Sequence, residues 1–152
     1  MSVLSWGKPT VEFGKSTAGA QATNWETMPE IVENTAQLNT TEGAIVEATE
    51  EGGNVVDSRR PASKFQFLLE VFVKKGDSMP IEDNEDGLII DNYSVRLTPE
   101  DPECEGFVID KANVSVVRTW TSADGMRLRY IFDAIKPKTG KTLKPYTAGS
   151  AS

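Results

Sequence analysis

The side chains that could carry chemistry lie in two acidic stretches, one thiol and a few glycine-rich steps. Glu82, Asp83, Asn84, Glu85, Asp86 and Gly87 follow one another directly, and a calcium loop aligned with Gly87 at its sixth position puts Glu82, Asn84 and Asp86 at ligand positions one, three and five. The twelfth position, which needs a bidentate carboxylate, falls on Tyr93, so the run reads as a solvated turn and not as an EF-hand. Glu100, Asp101, Glu103 and Glu105 offer carboxylates of the kind used in glycoside hydrolysis, but Pro102 interrupts them and nothing nearby builds a groove. Cys104 is the one cysteine, and the chain contains no histidine to act as its base or as a metal ligand. Gly140, Lys141 and Thr142 resemble the end of a phosphate-binding loop, yet the position that must be glycine is Ile135. No catalytic, cofactor-binding or metal-binding residue is assigned, and the chain is expected not to be an enzyme and to need no cofactor.

A non-catalytic reading puts the weight on charge and shape. The 152 residues carry a formal net charge of −7, the size of one domain and the wrong sign for tight binding to phosphate backbones. No stretch is apolar enough to insert into a membrane, and the N-terminus lacks the basic and apolar regions of a secretory signal, so synthesis in the cytoplasm is expected. Charge is unevenly spread. Between Lys15 and Arg59 stand Glu26, Glu30, Glu33, Glu42, Glu47, Glu50, Glu51 and Asp57 with no Lys or Arg. From Lys111 onward, Arg118, Arg127, Arg129, Lys136, Lys138, Lys141 and Lys144 outnumber Asp124 and Asp133. Either these regions neutralise each other within the fold, or they face opposite ways and draw identical subunits together head to tail.

The elements that must present these residues are strands. Residues 63–75 alternate Phe65, Phe67, Leu69, Val71 and Val73 with Lys64, Gln66, Glu70 and Lys74, a period-2 pattern that Leu68 and Phe72 break on the polar side. Those two exceptions imply that the second face is also partly covered, by another sheet, a loop or a neighbouring subunit. Residues 112–135 read as a long hairpin turning at Ser122, Ala123, Asp124 and Gly125. Weaker strands are expected at 9–13, 33–39, 43–49, 55–59, 93–98 and 107–110, a short helix within 76–92, and a single helical turn capped by Thr98. The expected fold is mainly β, an antiparallel β-sandwich or partly closed barrel with at most one short helix. A single domain over 1–152 would carry an N-terminal arm of about 1–24, a long loop at 50–63 and a C-terminal tail at 145–152. Trp6, Trp25 and Trp120 read as core or interface anchors, with an exposed sugar-binding platform as the other option.

Three stretches carry a likeness to a known family: Trp25, Glu26, Thr27, Met28 and Pro29; then residues 33–43; then Glu50, Glu51, Gly52 and Gly53. Together with residues 93–101 and 106–110, their order resembles tail tube proteins, the major tail proteins of phages and prophages, and is similar to the tube proteins of contractile injection systems. The chain departs from that family in lacking a clear amphipathic helix beside the sheet. The resemblance implies subunits in hexameric rings, stacked into a tube that conducts DNA. It implies assembly in the bacterial cytoplasm, a place in the virion tail, no membrane insertion, and as partners further copies plus tail terminator, tape measure or baseplate proteins. On that reading Glu42, Glu47, Glu50 and Glu51 are candidates for an acidic lumen along which DNA slides, and Asn54, Asp57, Arg59 and Arg60 for contacts between rings. Trp6, Trp25, Lys141 and Lys144 are candidates for the joints between subunits. A capsid decoration or head-tail connector protein, and a monomeric carbohydrate-binding module, are the alternatives.

Overall fold

Alternating side chains set a curled antiparallel sheet. In the computed structural model, the described residues are 7–17, 20–32, 35–76, 79–101 and 103–147; among them are ten strands and no helix. The strands are β1 (Thr10–Lys15), β2 (Glu26–Thr27), β3 (Gln37–Thr41), β4 (Val46–Thr49), β5 (Val55–Arg59), β6 (Lys64–Phe72), β7 (Leu88–Thr98), β8 (Gly106–Thr121), β9 (Gly125–Ala134) and β10 (Leu143–Tyr146). Eight of them form one sheet in the order β2-β1-β7-β8-β9-β6-β3, with β10 also on β8, while β4 and β5 pair only with each other.

Each principal strand sends alternate residues into one core: Val11 and Phe13 from β1, Phe67, Leu69 and Val71 from β6, Val114 and Val116 from β8, and Leu128, Tyr130 and Phe132 from β9. Phe67 and Phe107 sit on strands that are not hydrogen-bonded neighbours, yet their rings meet edge to face at 5.2 Å, which requires the sheet to fold over on itself. A strap spans the opening. Its start pairs with β1 through β2, Ile31 bridges Val71, and its end continues along β6 as β3. The result is a mainly β, sandwich-like fold that stops short of a closed barrel.

Several expectations change for physical reasons. Among the described residues of 76–92 the anticipated helix is absent; Asp86 (φ 44°) and Gly87 (φ 86°) take left-handed conformations that turn the chain directly into β7. Thr98 ends β7 and caps no helical turn; Asp101 instead accepts a backbone bond from Glu103 at 3.0 Å. The weak strand at 107–110 and the first arm of the long hairpin are one 16-residue strand, β8. A bulge bends it: Val95 lies opposite Ile109 while Tyr93 lies opposite Ala112, so one more residue is fitted on β8 than on β7. Ser94, wholly buried, serves that bulge by donating to the Asp110 carbonyl at 2.6 Å and accepting from the Ala22 amide at 2.9 Å. Within the N-terminal segment read as an arm, residues 10–15 are β1, paired on both sides. Within the C-terminal tail, Pro145 and Tyr146 belong to β10.

Gly106 opens β8 where a Cβ would stand 1.9 Å from the Leu97 carbonyl oxygen. Gly106→Ala is therefore expected to destabilise the fold by about 1–3 kcal/mol, measurable by urea denaturation.

Candidate assembly surface

Residues 42–60 form an arm that stands off the main sheet. β4 and β5 are joined by a tight turn in which the Gly53 amide donates to the Glu50 carbonyl at 2.9 Å and the Asn54 side-chain amide donates to Glu50 Oε1 at 2.6 Å. Gly53, at φ 89°, takes the left-handed position that the turn requires. At the neck, Gly43 lies so close to the chain that a Cβ would sit 2.1 Å from the Pro61 carbonyl, and Arg60 pairs with Glu42 at 3.0 Å.

Every residue of β4 and β5 is exposed, although the arm is rich in the β-branched residues that prefer a covered strand. Val56 is 69% exposed and Val46 59%, and Ile45 and Val55 are also open. The register puts Glu47 opposite Ser58 and Thr49 opposite Val55, so these four share one face; Val46, Ala48, Asp57 and Arg59 occupy the other, and Val56 sits at a bulge between the two pairings. Both faces of the ribbon are thus partly apolar. A lone two-stranded ribbon buries too little to hold itself, and exposed apolar area of this kind marks an interaction site.

Eight of the residues singled out from the sequence fall on this arm: Glu42, Glu47, Glu50, Glu51, Asn54, Asp57, Arg59 and Arg60. The structure brings lumen and inter-ring candidates together, since Glu42 pairs with Arg60 and Glu50 with Asn54. The four other candidates separate. Trp6 lies outside the described residues, and Lys141 is exposed in the loop before β10. Trp25 and Lys144 are engaged within their own chain. The Trp25 ring packs 4.1 Å from the Arg96 guanidinium, which also lies 5.1 Å from the Tyr146 ring and grips Glu12 with two bonds of 3.0 and 3.2 Å. Lys144 forms an ion pair with the buried Asp110. Trp25, Arg96, Tyr146 and Lys144 therefore fasten the strap and β10 to the sheet. Sequence reasoning missed Arg96, whose polar place among Val95 and Leu97 was the available signal.

The acidic run at 82–87 folds as a hydrogen-bonded turn. Asp83 accepts the Gly87 amide at 2.8 Å and pairs with Arg118 at 3.0 Å, and Asn84 accepts the Ile90 amide at 2.8 Å. The Gly87 bond is the main reason that the Asp83 carboxyl lies below its ordinary range. Among the described residues there is no group of three or more His, Cys, Asp or Glu arranged to hold a metal.

The charge asymmetry survives folding. Among the described residues no ion pair joins residues 16–58 to residues 111–147; Glu30 pairs with Lys74, Arg118 with Asp83, and Arg127 with Glu70 and Asp124. Among the described residues, Glu47, Glu50, Glu51 and Asp57 on the arm, and Arg129 on β9, are in no salt bridge.

Leu68 and Phe72, which interrupt the polar side of β6, occupy the convex outer face of the sheet. Phe72 lies beneath Arg127, 5.5 Å from ring centre to guanidinium. Leu68 is in register with Ile131, Ile131 with Ser115, and Ser115 with Leu88. In the neighbouring row, Val117 stands opposite Arg129. Leu88 is 64% exposed and Ile90 79%.

No family model and no curated protein matches this chain. Among solved structures, its fold is similar to a chain in a cryo-EM structure of an extracellular contractile injection system, described as the PVC sheath/tube terminator in the extended state. The superposition has a TM-score of 0.54 and covers 83% of this chain and 89% of that chain, at 12% sequence identity. At that identity the likeness is one of fold.

Proposed function

We propose that this protein is a structural subunit of a phage tail or contractile injection particle, one that assembles into rings at the tube or at its end. The observation that carries this reading is the β4–β5 arm: a ribbon with aliphatic residues on both faces, every residue of its two strands exposed among the described residues. The fold likeness to a sheath/tube terminator supports the same kind of particle.

The energetics favour closed assemblies. Burying Ile45, Val46, Val55 and Val56 is worth about 1.5 kcal/mol each, a sum comparable with the lower estimates, about 4 kcal/mol and upward, for the freedom lost on association. A single arm contact is thus weak, whereas in a ring each subunit gives one arm and receives another. A hexamer is the proposed ring, following the resemblance to tail tube proteins. Glu50 and Glu51 at the tip of the arm are its proposed anionic lining, which would keep DNA from adhering as it passes. The role is structural and not catalytic.

Light scattering across a concentration series tests this. The mass is expected to rise from the 16.6 kDa subunit to a discrete multiple. Val46→Asp with Val56→Asp is expected to hold it at one subunit with an unchanged circular dichroism spectrum. A wild-type mass fixed at one subunit throughout the series would contradict the proposal.

A further inference from the structure

The arm needs a seat, and one surface of the molecule matches it in exposed apolar residues and charge. The convex face of β7, β8, β9 and β6 has no second layer among the described elements; the strands pack against their hydrogen-bonded neighbours and inward onto the core. Its register rows place Leu88, Ser115, Ile131 and Leu68 side by side, with Val117, Arg129 and Glu70 in the next row, where the Glu70 carboxylate is paired with Arg127 at 3.9 Å. Leu88, Ile90 and Val117 are exposed at 64%, 79% and 45%. This is an aliphatic strip beside a cation that is in no salt bridge among the described residues.

One face of the arm is its complement. Val55 and Glu47 lie on the same face of the ribbon, and Glu47, like Arg129, is in no salt bridge among the described residues. The opposite face carries both Asp57 and Arg59, so it lacks that single sign of charge.

We propose that the convex face around Leu88, Ile90, Val117 and Arg129 receives the β4–β5 arm of a second copy, with Val55 against the aliphatic strip and Glu47 against Arg129. This rests on the assembly reading above and adds to it the acceptor surface. Donor and acceptor are different patches of the same chain, so the contact is heterologous and propagates until a ring closes. Charge complementarity fixes its register.

Mixing two complementary variants tests the assignment. Val55→Asp spoils the arm and keeps the face; Ile90→Asp spoils the face and keeps the arm. Each alone is expected to raise the concentration needed for assembly at least about tenfold. Mixed in equal amounts well above the concentration at which wild type assembles, they are expected to show a weak one-to-one association that neither shows alone, because the intact arm of one meets the intact face of the other and nothing further can add. A mixture that associates no more than either variant alone while wild type assembles would overturn this acceptor surface and leave the assembly reading standing, as would unimpaired assembly of Val55→Asp alone. A wild type that never assembles would overturn both. A charge exchange covers the case in which Ile90→Asp fails to fold: Glu47→Arg and Arg129→Glu should each impair assembly, and the double variant should restore it. Failure of the double variant to recover would overturn the Glu47–Arg129 contact and the seat with it.

Discussion

Tyr130→Ala is expected to lower the unfolding free energy by about 3–5 kcal/mol, a large part of the roughly 5–15 kcal/mol available to a domain of this size. Tyr130 is wholly buried in the middle of β9, among the largest side chains of the core. Its hydroxyl donates to the Ile81 carbonyl at 2.6 Å and accepts from the Ile81 amide at 3.2 Å, so it pins the segment before β7 onto the sheet. Tyr130→Phe keeps the ring and leaves two buried backbone groups without their partner, for an expected loss of about 1–3 kcal/mol. Urea denaturation of the three proteins separates ring from hydroxyl. The same residue gives an alkaline signature. Burial pushes the Tyr130 phenol up to about 12 from an ordinary value of 10.0, so the folded state favours the protonated form. Its contribution is complete below pH 10 and is lost as pH rises towards 12. Burial also raises Tyr93, in the same direction. Wild type should therefore lose stability over that window more steeply than Tyr130→Phe, and parallel pH profiles would show that the hydroxyl is not held as described.

Lys144→Met is expected to cost about 2–3 kcal/mol, the lower part of the range for breaking a buried pair, because Lys144 itself is a third exposed. Asp110 is 3% exposed and one of its carboxylate oxygens already lacks a hydrogen bond, so removing the ammonium leaves a buried charge with no counter-ion. β10 should feel this first, since it joins the sheet through four residue pairs along β8. Hydrogen exchange is expected to show faster exchange across residues 143–146 and unchanged protection in β9. Asp110→Asn in the same background should recover part of the loss. If Lys144→Met is as stable as wild type, the pair does not hold the C-terminal strand.

Much of the sheet could be read from its pattern, and the reasons for the remainder are physical. β6, β9 and residues 112–116 of β8 alternate buried and outward side chains, and the glycine turn at Gly125 separates β8 from β9, so periodicity and turn chemistry agree. The 82–87 turn read as a solvated loop is one, built on Asp83 and Asn84. What periodicity does not carry is which residues leave the body of the fold. β4 and β5 have strand character like any other, and only the absence of packing partners reveals them as an arm; the loop drawn at 50–63 cut across β5. Trp25 and Lys144 have the residue types of an interface, yet pair with Arg96 and Asp110 of their own chain, a meeting of distant strands that local sequence cannot encode. Leu88 and Ile90 lie in a short apolar run whose inward member is Ile89, so their exposure emerges only once β7 is placed against β8. Leu68 and Phe72 read in the sequence as a sign that the outer face is partly covered, and neither another sheet nor a loop covers it among the described residues.

The measurement that bears most directly on the central claim is negative-stain electron microscopy of the purified wild-type protein at a concentration where scattering shows assembly. Rings of uniform size with a central opening, singly or stacked, are the predicted result. Isolated subunits or compact dimers without an opening would contradict a ring-forming tail subunit.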